Sequence, residues 1–245
     1  MKTTNNVIDR IEYDGKIYVE PTDIANALNR FFVSVMGKSN GIGYKLGDFS
    51  HIVKSKNIFN LGRIYEYHVG KAIDSLKNKK SESHDGLSNC VIKMFKQELI
   101  PPLTHLINKS FNECIFPECL KISKVSPLFK GGACESAGNY RPLSLISPIS
   151  KVFEKIVIKQ MFKFLRNNNI LYEHQYGFRE KMSTEDAIRQ CHETLIANKS
   201  KKKHSVVVAV DLKKAFDSVK FDLLLYKLKL IGFSENFCKW IDNST

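Results

Sequence analysis

The sequence holds no apolar run of about eighteen residues, the length a bilayer-crossing helix needs, and its opening, MKTTNNVIDR, is polar and lacks the hydrophobic stretch of a secretory leader. Membrane insertion and secretion are both disfavoured. No two of the six cysteines (Cys90, Cys114, Cys119, Cys134, Cys191, Cys238) make a C-x-x-C pair, and their spacing is sparse, so neither a zinc site nor a disulfide framework is indicated. A reducing, intracellular setting, nucleus or cytoplasm, is the expectation. Negative charge is also short. Against 38 Lys and Arg stand 25 Asp and Glu, a net +13 that favours a polyanionic partner such as nucleic acid or an anionic membrane surface. Internal repeats and long low-complexity tracts are missing as well.

What is present supports a real core, with 43% of the 245 residues hydrophobic. In PTDIANALNRFFVSVM, Ile24, Leu28, Phe31, Phe32 and Val35 fall on one helical face, with Thr22 a candidate cap after Pro21. Residues 38–60, rich in Gly, Ser, Asn and Lys, read as a linker. Val69, Ala72, Ile73 and Leu76 form a short helical stripe; NCVIKMFKQELI is predicted to be a helix stopping at Pro101-Pro102, and LTHLINKSFNECI another stopping before Pro117. KISKVSPLFK and YRPLSLIS, flanking the turn-like GGACESAGN, predict a long basic hairpin over 121–147 in which Pro142 needs an edge or a bulge.

The strongest 3.6-residue spacing runs from Ile149 to Phe164. Ser183 and Asp186 form a capping box that opens a further helix, with Ile188, Cys191, Leu195 and Ile196 available for burial. FDLLLYKLKLIGF reads as a helix closed near Gly232. Between these two helices, VVVAV predicts a strand that ends on Asp211. A carboxylate held at a strand tip suits a metal ligand, although a pair of Mg²⁺ ions needs more than one such donor, and a strand-end Asp that merely starts a turn is the alternative. Asp217, six residues on, is first assigned a structural role, as a cap or as partner to a nearby Lys.

DLKKAFDSV, NYRPLSLISPISKVFEKI and HQYGFREKMSTEDAI together resemble the reverse transcriptases of non-LTR retrotransposons, closest to the jockey-like and LINE-type elements. Upstream, IANALNRFFVSV, LKNKKSESHDGLSNCVIKMF and INKSFNECIFPECLKISKVSPLFKGG resemble the segment joining endonuclease to polymerase in those elements, so the likeness covers roughly residues 20–245. It implies an α+β fold, a reverse-transcriptase-like right-hand polymerase fragment that is helix-rich with a few antiparallel strands. The implied regions are 1–60, an N-terminal linker with an amphipathic helix; 61–120, helical and preceding the fingers; and 121–245, fingers with an incomplete palm.

Matched residue by residue, the resemblance makes Asp211 the metal-binding and catalytic acid, and Leu212 a backbone-carbonyl metal ligand. Phe216 becomes the aromatic beneath the sugar that favours deoxynucleotides. Lys130 and Arg141 become the grip on the incoming triphosphate, with a solvated basic hairpin as the alternative. Tyr176 or Phe178 would stack on template or primer while Arg179 takes a phosphate; a packed aromatic turn is the alternative. The implied partners are an RNA template, a DNA primer and deoxynucleoside triphosphates, with Mg²⁺ or Mn²⁺ expected only in the complete enzyme. The family's second acid pair has no match, because no Asp-Asp occurs in the sequence, so a fragment inactive alone is expected. Two other readings stand beside this one. One is a nucleic-acid-binding module without chemistry. The other is an aspartyl-phosphate phosphatase, which wants an acid where Lys213 stands.

Overall fold

A computed structural model describes residues 8–37, 49, 52, 54–212, 215 and 219–244. Two short strands, β1 (Ile11–Tyr13) and β2 (Lys16–Tyr18), pair antiparallel across Asp14-Gly15 and lead into helix α1 (Pro21–Gly37). The helix begins at Pro21, whose missing N–H costs nothing at a first helical position, so Thr22 lies inside the first turn instead of capping it. Its buried face, Ile24, Ala27, Leu28 and Phe32, closes with Ile11 over Ala137 and Tyr140. This small core therefore rests on the tip of the hairpin described next. Glu12 N–H donates to the Glu135 carbonyl at 2.7 Å, and Arg10 pairs with the Glu135 carboxylate at 2.6 Å.

That hairpin is formed by β3 (Ser123–Phe129) and β4 (Tyr140–Ile146), antiparallel in an unbroken register from Ser123↔Ile146 to Phe129↔Tyr140. Pro127 sits directly opposite Pro142. Lys130 N–H donates to the Asn139 carbonyl at 2.8 Å, which makes 130/139 a hydrogen-bonded pair. Counting along the ladder, 127/142 is then a non-bonded pair whose amide positions point away from the partner strand. Both strands are edges of a two-stranded sheet, so neither proline removes a ladder bond and no bulge is needed.

The main core is helical. It gathers buried residues of α2 (Glu66–Asp74), α3 (Asn89–Met94), α4 (Lys96–Glu113), α5 (Pro148–Asn167), α7 (Phe221–Ile231) and α8 (Glu235–Asn243). Phe153 and Phe237 are fully enclosed, each contributing about 1.5–3 kcal/mol by burial. Phe59, Phe164, Phe233 and Phe237 pack ring against ring at centroid separations of 4.9–5.3 Å, Phe59 edge-on to Phe233 and Phe237. Ser147 caps α5 ahead of Pro148, so the helix starts as soon as β4 ends.

Three expectations are corrected. The chain does not leave its helix at Pro101-Pro102. Instead α3 breaks at Phe95, and α4 runs through both prolines. The two carbonyls they leave unbonded, those of Gln97 and Glu98, belong to exposed residues that water can reach. Next, helix α6 (Thr184–Ser200) carries the expected capping box, Ser183 with Asp186, yet buries nothing. Ile188 is 64% and Ile196 53% exposed, and Cys191 is exposed. Finally, VVVAV is not a strand. Residues 203–212 adopt no regular secondary structure, and Val206, Val207, Val208 and Val210 are 88, 65, 78 and 83% exposed. β propensity becomes a strand only where a partner edge lies alongside. Among the described residues the sheets are the two hairpins, and neither reaches this segment.

Candidate functional site

The site residues fall on three surfaces. On the hairpin, residues two apart share a face, and so do partners across the ladder. The Leu128↔Arg141 register therefore puts Arg141 and Lys130 on one face with Lys124, while Phe129 and Tyr140 occupy the other. Tyr140 anchors that second face: it is buried, packs on Phe129 at 5.4 Å and donates its hydroxyl to the Cys134 carbonyl at 2.6 Å. Burial pushes its phenol up from the usual range. With one face fastened, the basic face turns to solvent, and both Lys130 and Arg141 are exposed. The Lys130 ammonium reaches the Gly138 carbonyl at 3.5 Å, a weak contact that leaves it able to swing to an anion.

The connection is built for a tight return. Gly131 and Gly132 take φ values of 122° and 94°, which side-chain-bearing residues rarely adopt. A Cβ on Gly132 would meet the Asn139 amide at 2.8 Å. That amide in turn donates to the Ala133 carbonyl at 2.9 Å.

The second surface is the loop between α5 and α6. Arg179 is half-buried there, and its Nη1 donates to the carbonyls of Tyr172, Glu173 and Gln175 at 2.8, 3.3 and 3.4 Å. One end of this guanidinium is thus committed to holding the loop. Tyr176 is half-buried, whereas Phe178 is 79% exposed with φ 58°. A left-handed aromatic residue is uncommon and marks a loop whose shape is held by its surroundings.

The third surface is the tip of the extended segment. Asp211 and Leu212 are exposed, Leu212 at 71%. Phe216 and Asp217 lie outside the described residues. Among the described residues no hydrogen bond or ion pair joins Asp211 to Lys130 or Arg141, and no group of three His, Cys, Asp or Glu assembles into a metal-holding cluster. The donors here are a carboxylate and a neighbouring backbone carbonyl. Both are hard oxygens, which suit Mg²⁺ or Mn²⁺ and are poor partners for softer metals.

Sequence reasoning passed over another row of charge. Lys155, Lys159 and Lys163 repeat every four residues along α5, exposed along one border of its apolar stripe. The signal was legible as lysine in helical phase, but the apolar stripe drew the reading of that helix.

The family model described as reverse transcriptase (RNA-dependent DNA polymerase) matches residues 124–244, from the hairpin to the end of α8. Among curated proteins, the chain is 31% identical over 162 residues to a probable RNA-directed DNA polymerase from transposon BS of Drosophila melanogaster. It is 29% identical to one from transposon X-element and 25% identical to the RNA-directed DNA polymerase from mobile element jockey, both of the same species. Each alignment takes in 66% of this chain and 18% of the relative. The chain thus spans less than a fifth of the length of these relatives.

Proposed function

Because this chain belongs, through residues 124–244, to the reverse transcriptase family and is similar to non-LTR retrotransposon polymerases, we propose that it supplies the nucleotide-gripping part of an RNA-directed DNA polymerase. In this reading residues 121–245 are the fingers and first part of a palm, preceded by a helical region over 61–120 and a linker region over 1–60. The observation that carries it is the hairpin register, which aligns Lys130 and Arg141 on one exposed face. Arg141 can clasp two phosphate oxygens in parallel, and Lys130 adds a compact charge beside it.

Asp211 and the Leu212 carbonyl would hold Mg²⁺ or Mn²⁺, which when bound neutralises triphosphate charge and activates the primer hydroxyl. Phe216 is assigned to the sugar, where its ring would exclude a 2′-hydroxyl. Tyr176 and Phe178 would stack on template or primer. Arg179 serves first as the brace of their loop, with its remaining N–H groups turned to a phosphate. The partners are an RNA template, a DNA primer and deoxynucleoside triphosphates, met inside the cell.

With no Asp-Asp pair in the sequence, Asp211 is the one carboxylate matched to the metal site, and the 245-residue chain is expected to bind without turnover. That observation favours a second reading, a nucleic-acid-binding module without chemistry. Photo-crosslinking of radiolabelled deoxynucleoside triphosphate in Mg²⁺ tests the first. Arg141→Ala should weaken labelling about ten- to a hundredfold, the loss of a charge-assisted pair of hydrogen bonds. Labelling unchanged by Arg141→Ala and Lys130→Ala would remove the triphosphate role and leave the module.

A further inference from the structure

A cleft of about 1010 Å³ opens between α2 and α5, remote from the hairpin face. Its floor is apolar, with Ile64, Ala72 and Ile156, and its walls are basic. From α5 come Lys155, Lys159 and Lys163; from α2 and the residues before it come Lys71 and Arg63. Among the described residues none of these cations is ion-paired. The one carboxylate on the wall, Glu180, is taken by Arg166 at 3.1 Å. Charges on both walls converge: burial first, then Lys159 and Lys71, push the His68 imidazole below its ordinary range. Its Nδ1 accepts the Tyr65 N–H at 3.1 Å, and its ring packs against Tyr67.

Aromatic faces stand at the rim. Tyr67 is 58% and Tyr65 54% exposed, stacked at an interplanar angle of 10°. Tyr67 also lies 3.8 Å from the His68 ring and carries Lys71 at 5.7 Å from its centroid, while Arg63 sits 5.8 Å over Tyr65. Two tyrosines held this way are rigid platforms, costing little conformational entropy when a flat ligand settles on them. Lysines four apart on a helix are spaced by about 6 Å along its axis, close to the repeat of an extended phosphodiester chain.

We propose that the α2–α5 cleft is a binding groove for single-stranded nucleic acid, with phosphates along Lys155, Lys159 and Lys163 and a base stacked on Tyr67. An unpaired cation row with adjoining aromatic faces is how sequence-tolerant single-strand sites are built. A concave groove does not fit a flat lipid surface, and a duplex offers no unstacked base to the tyrosines. The inference goes beyond the triphosphate role of the hairpin and rests on none of its residues. Lys159 lies about 16 Å along α5 from the end of β4.

The test is fluorescence anisotropy of the 245-residue chain with labelled oligo(U) and oligo(dT) twelve-mers, read across a salt series. Lys155→Gln, Lys159→Gln and Lys163→Gln together should flatten the slope of log affinity against log salt by about 2, as expected for three lost phosphate contacts on a single strand. Tyr67→Ala should weaken binding about five- to a hundredfold with the slope unchanged. All four side chains are exposed, and unchanged far-ultraviolet dichroism confirms folding. The RNA and DNA arms show which polymer the groove prefers.

Three results overturn the proposal. One is an equal flattening from Lys201→Gln, Lys202→Gln and Lys203→Gln, which removes the same charge elsewhere. Another is equal affinity for a duplex of the same length. The third is binding to phosphatidylserine vesicles that falls in step with the cleft variants. Arg141→Ala separates this inference from the triphosphate role, because it should weaken nucleotide labelling while leaving oligonucleotide affinity intact.

Discussion

Gly232 ends α7 in a left-handed turn, φ 116°, and its carbonyl accepts the Phe59 N–H at 2.8 Å. A Cβ there would lie 2.8 Å from the Asn57 carbonyl oxygen, a backbone atom that cannot swing aside. Gly232→Ala therefore combines strain with a clash, and thermal unfolding should reveal a loss of about 1–3 kcal/mol. A second residue-scale expectation concerns acid. Partial burial opposes the charge on Asp85, but the Ser147 and Ser83 hydroxyls and the Leu87 N–H outweigh it and hold the carboxyl below its ordinary range. A group with a depressed folded value contributes stability above its unfolded value and loses it as pH falls through the folded one. The unfolding temperature should therefore drop on acidification below about pH 4. Asp85→Asn should lower it at neutral pH and flatten that acid limb; an unaltered profile would assign the acid response to other carboxylates.

At the scale of elements, legibility followed whether each piece makes its own contacts. The α5 stripe, the α6 capping box, the Gly232 stop and the hairpin are all written locally, in 3.6-residue spacing, in Ser-x-x-Asp or in turn residues, and each stands where the sequence puts it. Helix α8 was not read at all. Its signal, Ser234 before Phe237, Cys238 and Trp240, fits in nine residues, too short for periodicity to stand out, and its helix is fixed by docking. The proline pair in α4 misled because a helix can cross it where the freed carbonyls face water. The valine segment misled because strand propensity needs a neighbour. Of the candidate site, Lys130 and Arg141 were singled out by the resemblance alone, and their shared face came only with the hairpin register, whereas the structural hold of Arg179 on its loop had no signal in the sequence. Arg179→Ala should make the 171–182 loop, with Tyr172, Tyr176 and Phe178, hypersensitive to limited chymotrypsin digestion, while the hairpin stays protected; cleavage equal to that of the unsubstituted protein would deny the brace.

Across the whole molecule, burial is divided unevenly. Residues 221–244 join the central aromatic core, yet α6 and the extended segment before them contribute no buried side chain. Unpaired, valine-rich backbone is a template for pairing with another chain. Val208→Lys should accordingly reduce concentration-dependent turbidity on warming without shifting the unfolding temperature, and a shifted temperature would show that the segment is packed after all. The same division orders loss of structure: among the described residues, hydrogen exchange should be faster over 184–212 than in α2, α5 and α8.

The indole of Trp240, the only one in the chain, donates from Nε1 to the Ser110 hydroxyl at 2.9 Å and sits edge-on to Phe111 and Phe116. Asn243, one turn on, accepts the Phe116 N–H at 2.6 Å. A single buried fluorophore at that junction makes the protein its own optical gauge: blue emission reports the final helix seated against α4, and a red shift reports its release. Changes in α6 or in the valine segment leave that colour untouched.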